Sequence, residues 1–144
     1  MKVAIIYHSR YGNGKKCVDC VENLLKSGGH EVLVLRANES NPSQIPPADL
    51  YIFSGATEAF TIARPLRTYL KALPVLQGKK YALINTHAMM KPRALPKMEK
   101  ILSGKKGMVK IAEIDFRVGK GTDKGMGLPP DYEQRLAEWV KGLV

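Results

Sequence analysis

The chain alternates short apolar runs with stretches of helical periodicity from one end to the other, and no other feature narrows its fold as far. "KVAIIY" (2–7) is short, apolar and rich in branched side chains, the pattern of a strand buried on both faces. Residues 14–28 read as a helix, with Cys17, Val18, Val21, Leu24 and Leu25 on one face and Gly28-Gly29 to end it. "EVLVLR" (31–36) is a second strand, followed by a polar, proline-bearing connection over 37–48. "DLYIFSG" (49–55) is a third. Pro65 then opens a helix whose face is Leu66, Tyr69, Leu70 and Leu73. "KKYALINTH" (79–87) is a fourth strand, before a helix over 94–103 that buries Leu95, Met98 and Leu102 and stops at Gly104. "MVKIAEIDFRV" (108–118) is a fifth, and a glycine-rich loop (119–130) leads to a last helix over 130–142 carrying Tyr132, Leu136, Trp139 and Val140. Strands alternating with helices predict an α/β fold of three layers, a doubly wound five-stranded parallel sheet covered on both faces. The 144 residues suit one domain spanning 1–144, with no internal repeat.

In such sheets a ligand sits beyond the carboxyl ends of the strands, where the strand order reverses beside the first strand. The stretch at that place is "SRYGNG" (9–14), with Lys15 and Lys16 directly after it. It offers the Ser9 hydroxyl, the Asn13 amide and several backbone N–H groups at a helix N-terminus. Glycines let such a backbone curl around an anion, and the helix end adds partial positive charge. These residues predict a phosphate site. A plain strand-to-helix turn draws on the same residue types.

Net charge is +10, from 23 basic and 13 acidic residues. That balance favours acidic partners, or else describes a lysine-rich solvated surface. Aromatic residues make up only 7% and are not interleaved with the basic ones, so no stacking platform for nucleic acid is expected. No apolar run approaches the length of a membrane span, and the opening "MKVAIIYHS" lacks a signal-peptide pattern, so a cytoplasmic location is expected. Two cysteines, Cys17 and Cys20, fit a reducing compartment and cannot complete a four-cysteine cluster or a zinc site. "CVDC" suggests a redox dithiol, but its first thiol is not at the helix N-terminus, where the dipole would activate it. Buried, inert thiols are the expectation. His8, His30 and His87 show no metal-ligand spacing, and no metal site is expected.

"IIYHSRYGNGKKCVDCV" (5–21) resembles the signature of the flavodoxins: apolar residues, an aromatic, S-x-x-G and a helix. The resemblance implies the flavodoxin-like strand order 2-1-3-4-5 and non-covalent FMN, its phosphate gripped by Ser9, Arg10, Tyr11, Gly12, Asn13, Gly14 and Lys15. Gly14 stands where flavodoxins usually carry threonine and Val18 where they carry alanine, and the Lys15 charge is expected to replace the missing hydroxyl. The family's two other loops follow the third and fourth strands and hold the flavin ring. Here the first is Ala56, Thr57, Glu58, Ala59 and Phe60, with Thr57 placed to bond the ribityl chain or ring and Phe60 either to stack on it or to anchor the loop. The second is Thr86, His87, Ala88 and Met89, followed by Met90, Lys91 and Arg93, where flavodoxins typically offer a tyrosine and acidic residues. His87 is read either as a proton donor or ring partner, or as a bystander. No nucleophile or acid–base set is visible. The implied function is therefore an electron carrier between redox proteins and not an enzyme. The alternatives are a flavin-dependent NAD(P)H reductase of a quinone or disulfide, and a flavin-free module for an acidic partner. With Arg64, Lys91 and Arg93 against Glu58, the expected redox partner is acidic, ferredoxin-like or a reductase.

Overall fold

The computed structural model describes residues 1–119 and 127–144. The strands are β1 (Lys2–Tyr7), β2 (Glu31–Arg36), β3 (Leu50–Glu58), β4 (Thr61–Ile62), β5 (Lys80–His87) and β6 (Val109–Arg117). The helices are α1 (Asn13–Ser27), α2 (Arg64–Ala72), α3 (Ala94–Glu99) and α4 (Tyr132–Lys141). The main sheet has the order β2-β1-β3-β5-β6 and is parallel throughout. Because β5 and β6 are the fourth and fifth apolar runs, this is the predicted order 2-1-3-4-5.

Alternation along the strands builds a core on each face of the sheet. In β1, Ala4 and Ile6 face the side covered by α2 and α3, where Leu66, Tyr69, Leu70, Leu95 and Met98 are buried. Val3, Ile5 and Tyr7 face the side covered by α1 and α4, where Cys17, Val18, Val21, Leu25, Leu136 and Val140 are buried. Each fully buried Ile or Leu contributes about 1.5–3 kcal/mol of transfer free energy. That burial holds short helices that would be marginal alone. Leu24, Tyr132 and Trp139, expected on the buried faces, are only partly buried at the α1–α4 seam.

Three details depart from the expectation. β3 runs on to Glu58, and Ala59 and Phe60 then take positive φ (48° and 67°), turning the chain back so that β4 pairs antiparallel with the end of β3. Such a turn is usually announced by Asn-Gly, and Ala-Phe carries no such signal. The helix expected to stop at Gly104 is α-helical only to Glu99. It widens into a π-turn over Lys100–Lys105 that encloses Gly104, closing with Lys106 N–H on the Ile101 carbonyl at 3.1 Å. The connection over 37–48 contains two short 3₁₀ turns, Ala37–Glu39 and Pro42–Gln44. Residues 120–126 of the predicted glycine-rich loop lie outside the described residues. No helix among the described residues is long and apolar enough to cross a membrane.

Candidate cofactor site

The carboxyl ends of β1, β3 and β5 open onto one cleft, lined from three segments far apart in sequence. The turn after β1 supplies His8, Ser9, Arg10, Tyr11, Asn13 and Gly14, the end of β3 supplies Ala56, Thr57 and Glu58, and the end of β5 supplies Thr86, His87 and Ala88. Val118, beyond β6, completes the wall. Parallel strands bring their carboxyl ends to one edge, which is why segments centred near residues 11, 57 and 87 meet.

The first turn is organised by Ser9. Its Oγ accepts the backbone N–H groups of Gly12 and Lys15, both at 3.1 Å. Those two donors, expected to face an anion, are committed to holding the turn. Gly12 sits at φ 91°, a left-handed conformation that glycine adopts without a Cβ penalty. At Gly14 a Cβ would stand 3.5 Å from Ser9 Oγ, in ordinary contact. Glycine there is not forced by crowding; it leaves open the space beside the hydroxyl. Lys15, expected to replace the missing hydroxyl by its charge, is paired with a carboxylate on α1. Its Nζ is 2.8 Å from Asp19 Oδ2, one turn along the exposed face of α1, and the bonded carboxylate raises the ammonium above its ordinary pKa. Among the described residues the permanent cation that lines the cleft is Arg10, with its guanidinium 5.3 Å from the centre of the exposed Tyr11 ring.

Thr57 stands between the loops instead of reaching freely into the cleft. Its hydroxyl donates to Asn85 Oδ1 (3.0 Å) and accepts the Ala94 N–H (3.1 Å), while Asn85 Nδ2 donates to the Gly55 carbonyl (2.9 Å). One hydroxyl thus ties β3, β5 and the start of α3 together. Asn85 is fully buried and was missed from sequence, although an asparagine inside an apolar run was the available signal. Glu58 has a buried Oε1 with no hydrogen-bond partner among the described residues.

His87 is 3% exposed and both of its ring nitrogens face acceptors: Nδ1 lies 2.6 Å from the Met89 carbonyl and Nε2 2.7 Å from Asp115 Oδ2 on β6. It bonds no free partner in the cleft; it fixes the turn after β5. Met89 is 42% exposed and outside the cleft lining, as are Gly12, Lys15, Ala59 and Phe60. Phe60 is 54% exposed, with the Arg93 guanidinium 5.7 Å from its ring centre and its carbonyl bonded by Lys97 Nζ at 2.9 Å.

Cys17 is buried under α1, and desolvation pushes its thiol up to about 12. Cys20, half-buried, is also raised by desolvation. Both are free thiols, neither stands at the N-terminus of α1, and thiols shifted this way are poor nucleophiles. Among the described residues no group of His, Cys, Asp and Glu has the arrangement of a metal site.

No family model matches the chain, and no curated protein matches it. Solved structures do. A flavodoxin from Streptococcus pneumoniae TIGR4 superposes with a TM-score of 0.80 at 18% identity, over 99% of this chain and 97% of that one. Two-electron reduced Megasphaera elsdenii flavodoxin gives 0.77 at 17%, over 99% of each. Rubredoxin oxygen:oxidoreductase from Desulfovibrio gigas gives 0.82 at 16%, over 98% of this chain but 34% of that enzyme. At these identities the shared property is the fold, which is flavodoxin-like.

Proposed function

We propose that this flavodoxin-like chain binds FMN in the cleft and carries electrons between redox proteins. The observation that carries the reading is the meeting of three strand ends on one cleft at the switch point, with an anion-suited turn at one end and an unpartnered acceptor at the other. The phosphate belongs in the 9–14 turn. There Arg10 supplies charge, Gly14 leaves room beside the Ser9 hydroxyl, and the α1 N-terminus supplies its dipole. The ring belongs between Ala56–Glu58 and Thr86–Ala88, where the Glu58 carboxyl fits a ring N–H. Thr57 and Asn85 hold these two walls at a fixed spacing, and His87 holds the turn beyond β5. Bound FMN supplies the redox chemistry; the protein binds, orients and sets the charge around it. A carrier is favoured over a reductase because both nitrogens of the one histidine buried at the cleft are committed to protein acceptors. A second reading, the flavin domain of a larger oxidoreductase, is supported by the close superposition on part of the D. gigas enzyme. The redox partner is acidic, to complement the +10 charge, and the compartment is the cytoplasm.

Titration of the FMN-free protein with FMN and with riboflavin, followed by flavin fluorescence, tests the reading. FMN should be quenched and bound at least about tenfold more tightly than riboflavin, since one charge-assisted hydrogen bond is worth about 1.5–3 kcal/mol. Ser9→Ala should reduce that preference severalfold. Equal affinity for the two flavins would remove the phosphate from the 9–14 turn, and absence of quenching by either would remove the flavin altogether.

A further inference from the structure

A second concavity lies beside the cofactor cleft and has no part in it. It is an open groove of about 710 Å³, with Phe60, Pro92, Leu95 and Pro96 as its apolar lining and Lys91, Arg93 and Lys97 as its charged lining. Among the described residues Glu113 is the acid that lines it, and Lys110 Nζ is bonded to that carboxyl at 2.7 Å. None of the three lining cations forms an ion pair with a carboxylate among the described residues. The surface is thus both apolar and positive. Phe60 is presented at a cost: a bulky residue at φ 67° directly after Ala59 at φ 48° stores about 1–3 kcal/mol at each position. A folded chain retains such strain where the surrounding structure imposes it, and here it holds an aromatic ring half out in solvent under the Arg93 guanidinium. Exposed aromatic rings with arginine are what protein interfaces are enriched in, and they supply most hot spots.

We propose that this groove docks an acidic surface segment of a redox protein, with carboxylates on Lys91, Arg93 and Lys97 and an apolar side chain against Phe60. The redox class of that partner rests on the FMN reading; the groove and its charge do not. Phe60 lies two residues beyond Glu58, and Lys91 three beyond Ala88, both of which line the cleft. A protein seated in the groove is therefore held against the mouth of the cleft.

The probe is an acidic two-iron ferredoxin, titrated calorimetrically into the FMN-loaded protein at ionic strengths of about 0.01 M and about 0.15 M, where the Debye length falls from about 30 to about 8 Å. Binding should be measurable at the lower salt and weaken at the higher. Phe60→Gly should weaken it about tenfold while leaving the melting temperature unchanged or raised, because glycine takes the left-handed turn without strain. Arg93→Glu should weaken it further and flatten the salt dependence. FMN affinity, measured separately, should stay within about twofold of wild type in both variants, a difference of about 0.4 kcal/mol. No ferredoxin binding by the wild type at low salt overturns the proposal. So does an affinity unaltered in both variants. If FMN fails to bind while ferredoxin binding still depends on Phe60 and Arg93, the docking face stands and the cofactor reading falls.

Discussion

Glu58 carries the sharpest contradiction at the scale of single residues: a carboxyl oxygen buried without a partner among the described residues, on the wall of a cleft. A buried acceptor left unsatisfied costs about 1–3 kcal/mol. Glu58→Ala should therefore stabilise the FMN-free protein by about 1 kcal/mol in urea unfolding and, on the proposed placement of the ring N–H beside this carboxyl, weaken FMN binding by about tenfold. A variant that loses stability without FMN present would mean that the oxygen is satisfied by water, and its proposed role would fall with it. His87 is the opposite case, a polar residue with nothing left over. Both nitrogens are engaged by Met89 and Asp115, and these contacts position the backbone after β5.

Among the elements, β3 and α2 meet closely at one point next to the cleft. Gly55 lies in β3 immediately before the lining residues, and a Cβ built there runs into the Leu66 side chain of α2, which is fully buried. Gly55→Ala would have to push α2 outward or drive Leu66 off its rotamer. Overpacking of this kind costs about 1–3 kcal/mol, or several degrees of melting temperature for a chain of this size. Thermal unfolding followed by circular dichroism checks the loss, and an unchanged midpoint would show that Leu66 has room to move. The same shift carries Ala56–Glu58 with it, so FMN affinity should fall together with stability in this variant. That coupling sets it apart from Phe60→Gly, where neither should fall.

For the molecule as a whole, burial of titratable groups predicts an alkaline weakness. Desolvation pushes both the Cys17 thiol and the Tyr69 hydroxyl up to about 12, and raises those of Tyr51 and Tyr81 as well. The unfolded chain ionises these groups first, so it binds fewer protons than the folded chain above about pH 9, and stability falls as pH rises. The contribution is fully present below the unfolded values and is lost between about pH 9 and 12. Cys17 alone, about 3 units above its unfolded value, should remove roughly 2 kcal/mol between about pH 8 and about pH 10.5, and Tyr69 somewhat less. Urea unfolding at the two pH values measures the drop, and Cys17→Ala should flatten it. A free energy independent of pH over that range would mean that Cys17 ionises as readily folded as unfolded.

What the sequence determined by itself was whatever depends on local periodicity. Apolar runs with alternation fixed the five main strands. The spacing of Cys17, Val18, Val21 and Leu25, and of Leu66, Tyr69, Leu70 and Leu73, fixed which helix faces are buried, because burial recurs with the period of the element. The location of the cleft followed as well, since parallel strands must end on one edge. The roles within it were decided only by tertiary structure. Thr57 meets Asn85 and Ala94, 28 and 37 residues away, and His87 meets Asp115 at a distance of 28, through strand registers that no local pattern encodes. The Ala59-Phe60 turn is imposed by the pairing of β3 with β4 against the preferences of its own residues. Local sequence determines which side of an element is buried; a hydrogen bond between distant residues exists only once register and packing have brought two particular atoms within about 3 Å.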